Sequence, residues 1–180
     1  MQLRLFLAAL AGVAVLMFWL SHQGRLLRTA HAPHGIVSYE LAGTAGRAGA
    51  ILTDWKDPTR RRVARLQLTW DYLFIIAYAS ALWLGAGRAA HAVYGAKSPV
   101  LAATGPWVRW LGPAAGVLDA AENTFLLHML AQGAADGASA RAAAVCAGVK
   151  FLLSGVGLLY SLPGLPSALA AIVRGRLTVG

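Results

Sequence analysis

The stretch AGVLDAAENTFLLHML, residues 115–130, is apolar enough for a membrane interior yet carries Asp119, Glu122, Asn123 and His128. Asp119, Glu122 and Asn123 stand at i, i+3 and i+4, which sets two carboxylates and an amide on one face of a helix. Such a group can take up a proton, bind a cation or hold a protonated amine. Away from water it needs company, because one lone charge at mid-bilayer costs about 2.5–3.5 kcal/mol on insertion scales. Three further residues offer it: Lys150 in VKFLLSGVGLLY, Asp71 in WDYLFIIAYA and Glu40 in GIVSYELAG.

The elements that must position these residues follow from composition. Of 180 residues, 58% are hydrophobic and only 13% charged, against about 25% charged in a soluble domain. The charges sit between long apolar runs, which predicts an all-α integral membrane protein, since backbone groups in lipid must be satisfied within the segment. Four transmembrane helices are expected in a single bundle, one transmembrane domain over 1–180. The spans are about 5–20, 66–86, 107–130 and 142–162, each near the ~20 residues a crossing needs. The first has the basic start and apolar run of a signal peptide, but it ends in Phe18 and Trp19 with no small-x-small site after it, so a retained helix is predicted. Between the first two spans, Ile36, Val37, Tyr39, Leu41, Ala45, Ala48, Ile51, Leu52 and Trp55 recur at helical intervals. This predicts one or two short amphipathic helices over about 36–55, lying on the membrane surface.

Several ends are marked. Asp57-Pro58 reads as an N-cap with proline at the first helical position. Arg60, Arg61, Arg62 and Arg65 follow, and cations at a helix N-terminus oppose the macrodipole. Lipid phosphates would offset that repulsion, so these four are assigned to head-group contact. Thr104-Gly105-Pro106 is expected to open the third span, Pro113 to bend it, and Trp107 and Trp110 to sit in the interfacial belt. Leu162-Pro163-Gly164 ends or kinks the fourth, Gly133–Ser139 reads as a loop, and Gly148, Gly155 and Gly157 suggest close helix packing. One side of the membrane collects Arg25, Arg28, Arg47, Lys56, the four arginines and Arg141. The other collects Arg4, Arg88, Lys97, Arg109, Arg174 and Arg176, so the first side is assigned to the cytoplasm.

Counting about 1.5 Å per residue from the first side puts Glu122 and Lys150 each about 12 Å deep and Asp71 about 8 Å deep. Separate helices thus bring their polar residues to one half of the bilayer. The prediction is an ion pair of Lys150 with Glu122 or Asp119, with Asp71 nearer the mouth and Glu40 closing over it. Such a pair can simply glue helices together. The acidic surplus points further, to a binding set of Glu40, Asp71, Asp119, Glu122, Asn123 and Lys150.

Other classes find less support. The formal charge is +9, but no aromatic-interleaved basic groove suggests nucleic acid, and membrane lipids are the expected partner of the basic residues. Cys146 is the one cysteine, which excludes an intrachain disulfide and reads as a small buried hydrophobe. His22, His31 and His34 are irregularly spaced and read as a solvated loop, so no metal site is assigned, and no cofactor motif is present. His128 lies away from Asp119 and reads as an edge residue. Trp70, Tyr72, Tyr78, Trp83 and Tyr160 read as anchors or packing, or as an aromatic wall beside the acids.

The order GIVSYELAG, WDYLFIIAYA, LDAAEN, VKFLLSGVGLLY resembles a family of small four-span bacterial membrane proteins of unknown function. The likeness runs from about Gly35 to Tyr160, and ELA, D-x-x-F and EN are its most specific pieces. It implies the spans and a place in the bacterial inner membrane, and no activity. Sterol-isomerase-like four-helix membrane domains are similar in architecture only, burying acids in a lipid-facing pocket. The leading expectation is a protein that binds an amphipathic or cationic ligand in an acidic intramembrane pocket open to one leaflet, alone or as an accessory subunit of a membrane assembly. A lipid-modifying enzyme of the proton-transfer or isomerase type, and proton or cation translocation, stay open beside it.

Overall fold

The computed structural model describes residues 2–166 and 170. It is helical throughout, with no strand among the described residues. Helix α1 is Gln2–Gln23, continued by a 3-10 turn, Gly24–Leu27. Two short helices follow, α2 (Ile36–Glu40) and α3 (Ala45–Asp54), then the long α4 (Pro58–Ala89). A π-helical turn, Ala90–Tyr94, prolongs α4. Then come α5 (Pro99–Val108), α6 (Leu111–Gln132) and α7 (Gly137–Ser161). Arg174 and Arg176, assigned above to one membrane face, lie outside the described residues.

Among the described residues, three helical stretches are long and apolar enough to cross a membrane: Leu3–Leu27, Pro58–Tyr94 and Gly137–Gly164. Large apolar side chains stand on their surfaces, with Phe18, Ile76, Leu152 and Leu159 among the most exposed. Helix α6 is 22 residues long but falls outside that set. Asp119, Glu122, Asn123 and His128 dilute its apolar run.

The caps explain the boundaries. Asp57 Oδ1 accepts from the amides of Thr59 at 3.0 Å and Arg60 at 3.1 Å, as the Asp-Pro pair predicts. Thr44 caps α3 through Arg47 N at 3.3 Å. Asp136 caps α7 through Ser139 N at 2.7 Å, so the predicted loop ends at Asp136 and Gly137–Ser139 are already helical. Helix α5 corrects a second boundary. It opens at Ser98, which caps it, and Pro99, leaving Thr104-Gly105-Pro106 inside the helix. The chain then turns at Arg109 and Trp110, and α6 starts afresh at Leu111. Pro113 is therefore in the first turn of α6, where a missing N–H costs nothing, and no mid-helix bend is needed.

The chain forms two compact units, both drawing on α1, α4, α6 and α7. The first comprises Met1–Val13, Ile76–Gly116 and Phe151–Gly180, the second Ala14–Ile75 and Val117–Lys150. In the second, Tyr39, Ala48, Ile51, Leu52 and Trp55 of the short-helix region pack with Ala64 and Leu68 of α4, Leu126, Met129 and Leu130 of α6 and Ala140 and Ala143 of α7. Val37 and Leu41, expected on the same inward face, are exposed. Helix α2 is only five residues long, too short to bury a full stripe. The His31 ring and amide meet Asp54 Oδ2 at 3.1 and 3.3 Å, tying the preceding loop to α3.

In the first unit, glycine allows close approach at positions the sequence did not single out. A Cβ on Gly112 would stand 2.8 Å from Leu82 Cβ and 2.9 Å from the Ala79 carbonyl oxygen. A Cβ on Gly148 or Gly155 would meet nothing within 4 Å, and on Gly157 only ordinary contacts from 3.7 Å outward. The predicted packing role is thus corrected for Gly148 and Gly155, which face open space, while Gly157 is buried against Leu82 and Leu111. Gly112→Ala is expected to cost about 1–3 kcal/mol, since backbone must move. Gly148→Ala should leave stability unchanged or raise it by up to about 1 kcal/mol. Thermal aggregation of the two purified variants in mild detergent checks the contrast.

Candidate functional site

Within the second unit, buried stripes from three helices meet. On α4 the inward positions are Ala64, Leu68 and Asp71; on α6 they are Asp119, Glu122, Asn123 and Leu126; on α7 they are Ala140, Ala143, Ala147 and Lys150. Each stripe follows the three-and-four spacing of one helix face. The alanines of α7 let its backbone come close, and Lys150 ends the stripe.

Lys150 Nζ lies 2.6 Å from Asp119 Oδ1, 2.9 Å from Glu122 Oε2 and 3.4 Å from Glu40 Oε2. All four residues are buried, Glu122 completely at 0% exposure. The predicted pairing of Lys150 with Glu122 or Asp119 is thus a clasp of three carboxylates on one ammonium. Glu40 is a direct partner in it, where the sequence suggested only a cover. Its neighbour Tyr39, expected only as part of the apolar face of the short-helix region, fixes α2. The Tyr39 hydroxyl donates to the Leu126 carbonyl at 3.2 Å, and its ring packs edge-on against Trp55 at 5.3 Å. Trp55 Nε1 donates in turn to Leu27 O at 2.9 Å. After Glu40 the chain turns at Gly43, whose φ of 70° favours glycine.

Asp71 stands beside the clasp. Asn123 Nδ2 donates to Asp71 Oδ2 at 2.7 Å, while the Tyr72 hydroxyl reaches the Ala120 carbonyl at 3.4 Å and the Thr124 hydroxyl at 3.3 Å. Asp71 is partly exposed, unlike the four residues of the clasp. The six residues predicted as a binding set are therefore arranged as four around one ammonium and two in an adjoining amide–carboxylate pair.

The electrostatics are unbalanced. Three carboxylates facing one ammonium leave two formal negative charges before Asp71 is counted. Glu122 Oε1 is buried and accepts no hydrogen bond from an N–H or hydroxyl among the described residues, while the Glu40 carboxyl lies within hydrogen-bonding reach of the Glu122 carboxyl and could share a proton with it. Glu122 Oε2 approaches Nζ as an ion pair without directed hydrogen-bond geometry. Burial pushes the Glu40 carboxyl above its ordinary range, while the Lys150 ammonium pulls it back. The arrangement can accept positive charge, as a proton or as a cationic group. Among the described residues, no group of three His, Cys, Asp or Glu side chains is set to hold a metal ion.

The arginines at the start of α4 divide. Arg61 Nη2 donates to the Leu130 and Ala131 carbonyls at 2.8 and 2.9 Å. It thus caps the C-terminal end of α6, a favourable place for a cation, instead of facing only outward. Arg60 Nη1 donates to Asp54 O at 3.3 Å. Arg62 and Arg65 are exposed. His128 is exposed and meets Gln132 Nε2 at 3.0 Å through its Nε2. Of the aromatic residues, Trp70 packs on Trp19 at 5.3 Å.

No protein-family model matches the chain, and no curated protein or solved structure does. The site must be read from its own geometry. Removing its cation should be the most damaging single change. Lys150→Met, which leaves three buried carboxylates uncompensated, is expected to cost about 3–5 kcal/mol. Glu122→Gln keeps the shape and removes surplus charge, so it should fold with near-native stability. Fluorescence-detected size exclusion after heating ranks the two.

Proposed function

We propose that this chain is a four-span protein of the bacterial inner membrane, with α6 as the remaining crossing. Its acidic clasp takes up the cationic head of an amphipathic ligand from one leaflet. Support for the fourth span is its length, 22 residues, which at 1.5 Å each gives about 33 Å. Its charged residues are turned inward while Val117 is 71% exposed, the inverse of a water-facing helix. A bilayer rewards that arrangement.

The observation that carries the ligand reading is the fully buried Glu122 carboxyl, which receives no N–H or hydroxyl hydrogen bond, in a cluster of three carboxyl groups around a single ammonium. A purely structural ion pair has no use for the extra carboxylates. A protonated amine would supply the missing charge and donate to Oε1. Asp71, partly exposed, marks the approach, and α2 is the cover that carries Glu40 on its inner side. A lipid-modifying enzyme would need substrate carbon beside Glu122, and the tight burial of that residue speaks against it. Proton exchange is the second reading, favoured by the same closure, since a proton enters where an amine requires α2 to lift.

A hydrophobic amine such as a long-chain alkylamine is expected to raise the midpoint of thermal aggregation of the wild type by several degrees. A neutral alcohol of the same chain length should not, and Glu122→Gln should lose the amine's effect. If neither amine nor alcohol shifts the midpoint, but proton uptake into proteoliposomes falls in Asp71→Asn/Glu122→Gln, the second reading replaces the first. Native mass spectrometry from mild detergent adds a direct measure, separating a retained small molecule from a companion subunit.

A further inference from the structure

The first compact unit has a charge composition unlike the second. All seven acidic residues of the chain, Glu40, Asp54, Asp57, Asp71, Asp119, Glu122 and Asp136, fall in the second unit. The ranges of the first contain Arg4, Arg88, Lys97, Arg109, Arg174 and Arg176 and no carboxylate side chain. Its cations therefore have no acidic side chain of their own unit to pair with.

Arg109 makes the need specific. Its guanidinium lies 3.7 Å over the Trp83 ring, a cation–π contact that holds the plane of the fork and uses none of its N–H groups. Arg109 Nε is buried and without a hydrogen-bond partner among the described residues. A guanidinium presents five donors in a fixed fork suited to an oxyanion, and the stacking on Trp83 leaves that fork open to one.

A cavity of about 260 Å³ opens beside it. Its wall includes Arg109 and His91, and otherwise small residues such as Gly87, Gly95 and Ala102, so backbone comes close to any occupant. The shape is set by the π-helical turn Ala90–Tyr94 packing on α5. A Cβ on Gly105 would come within 2.5 Å of Ala90 Cβ, so only glycine allows that contact. The Tyr160 hydroxyl donates to Leu101 O at 2.6 Å and the Tyr94 hydroxyl to Tyr160 O at 3.2 Å, fixing both walls. A π turn commonly marks a functional position in a helix. Beside the cavity, Trp107 and Trp110 are 79% and 58% exposed, the pattern of an interfacial aromatic belt.

We propose that this cavity is a binding site for the phosphate of an anionic membrane lipid, with Arg109 as the oxyanion fork and His91 as a second donor. The small-residue walls admit the head-group, and the exposed tryptophans place it at the depth where lipid phosphates lie. The site is separate in residues and in charge from the acidic clasp, and does not rest on the reading of that clasp.

The test uses the full chain purified in mild detergent, with phosphatidylglycerol, phosphatidylcholine and inorganic phosphate as probes. Native mass spectrometry is expected to show phosphatidylglycerol retained in preference to phosphatidylcholine, at one molecule per chain. Arg109→Gln/His91→Gln should cut that retention by about tenfold, as loss of charge-assisted hydrogen bonds implies. Ala102→Leu, which fills the cavity and leaves both donors in place, should do the same, so a folding defect in the first variant does not decide the matter. His34→Gln, an exposed change in the second unit, should leave the retention unchanged. Equal retention of the two lipids, or retention indifferent to both cavity variants, overturns the site. Protection against thermal aggregation by inorganic phosphate equal to that by phosphatidylglycerol would overturn the lipid as its source.

Discussion

The second unit depends on the ammonium of Lys150. Three carboxylates from two elements converge on it, at 2.6, 2.9 and 3.4 Å. Asp119 and Glu122 belong to α6 and Glu40 to α2, so one cation on α7 fixes the approach of both. None of these residues would be stable there alone, since an uncompensated charge away from water costs several kcal/mol. The arrangement is mutually conditional: α2 stays down because its carboxylate has a partner, and that partner is tolerable because the carboxylates surround it. The Tyr39–Leu126 and Trp55–Leu27 hydrogen bonds add direction to a contact that charge alone leaves loose.

Around that clasp the helices are polar within and apolar without. The stripe Ala140, Ala143, Ala147 carries no bulk, which brings the α7 backbone close enough for a lysine to reach two neighbours. In a bilayer, dispersion between close backbones and inward hydrogen bonds would have to hold such helices together, because lipid tails give no hydrophobic driving force between helices. Gln67 contributes in the same sense, its buried amide donating to the Leu20 carbonyl.

Much of this was legible in the sequence because it rests on local rules. The Asp57 cap, the helical spacing of Asp119, Glu122 and Asn123, and the depth match of Lys150 with Glu122 all follow from counting along one helix at a time. Two features were not. Glu40 as a direct partner of Lys150 depends on how a five-residue helix rolls, and so short a segment has no periodicity from which to read a face. The tight glycines at 105 and 112 depend on which helix lies opposite, a tertiary fact, whereas Gly148 and Gly155 had the familiar small-residue spacing but face open space. Pro106 misled for a related reason. A Gly-Pro pair reads as a helix start, but Ser98-Pro99 seven residues earlier supplies a side-chain cap as well, and the cap decides. The span count was affected by the same polar residues that make α6 interesting, since each lowers the apolarity by which a crossing is recognised.

The sorting of charge between the two units has a physical reason in the different partners open to the two signs. A guanidinium can rest against an aromatic face, as Arg109 does on Trp83 and Arg88 does over Phe6 at 5.8 Å, and at a membrane surface it finds phosphates. A buried carboxylate has neither resource: aromatic faces repel it, and lipid head-groups carry its own sign. Its compensation must come from within the chain, from a lysine, an amide or backbone N–H groups. Carboxylates in such a protein therefore gather where a cation has been built in, as around Lys150, or where a helix N-terminus accepts them, as at Asp57 and Asp136. Cations carry no such restriction, and a unit can hold several of them without a single acid. The acid-free unit and the acid-rich clasp are two consequences of that one asymmetry.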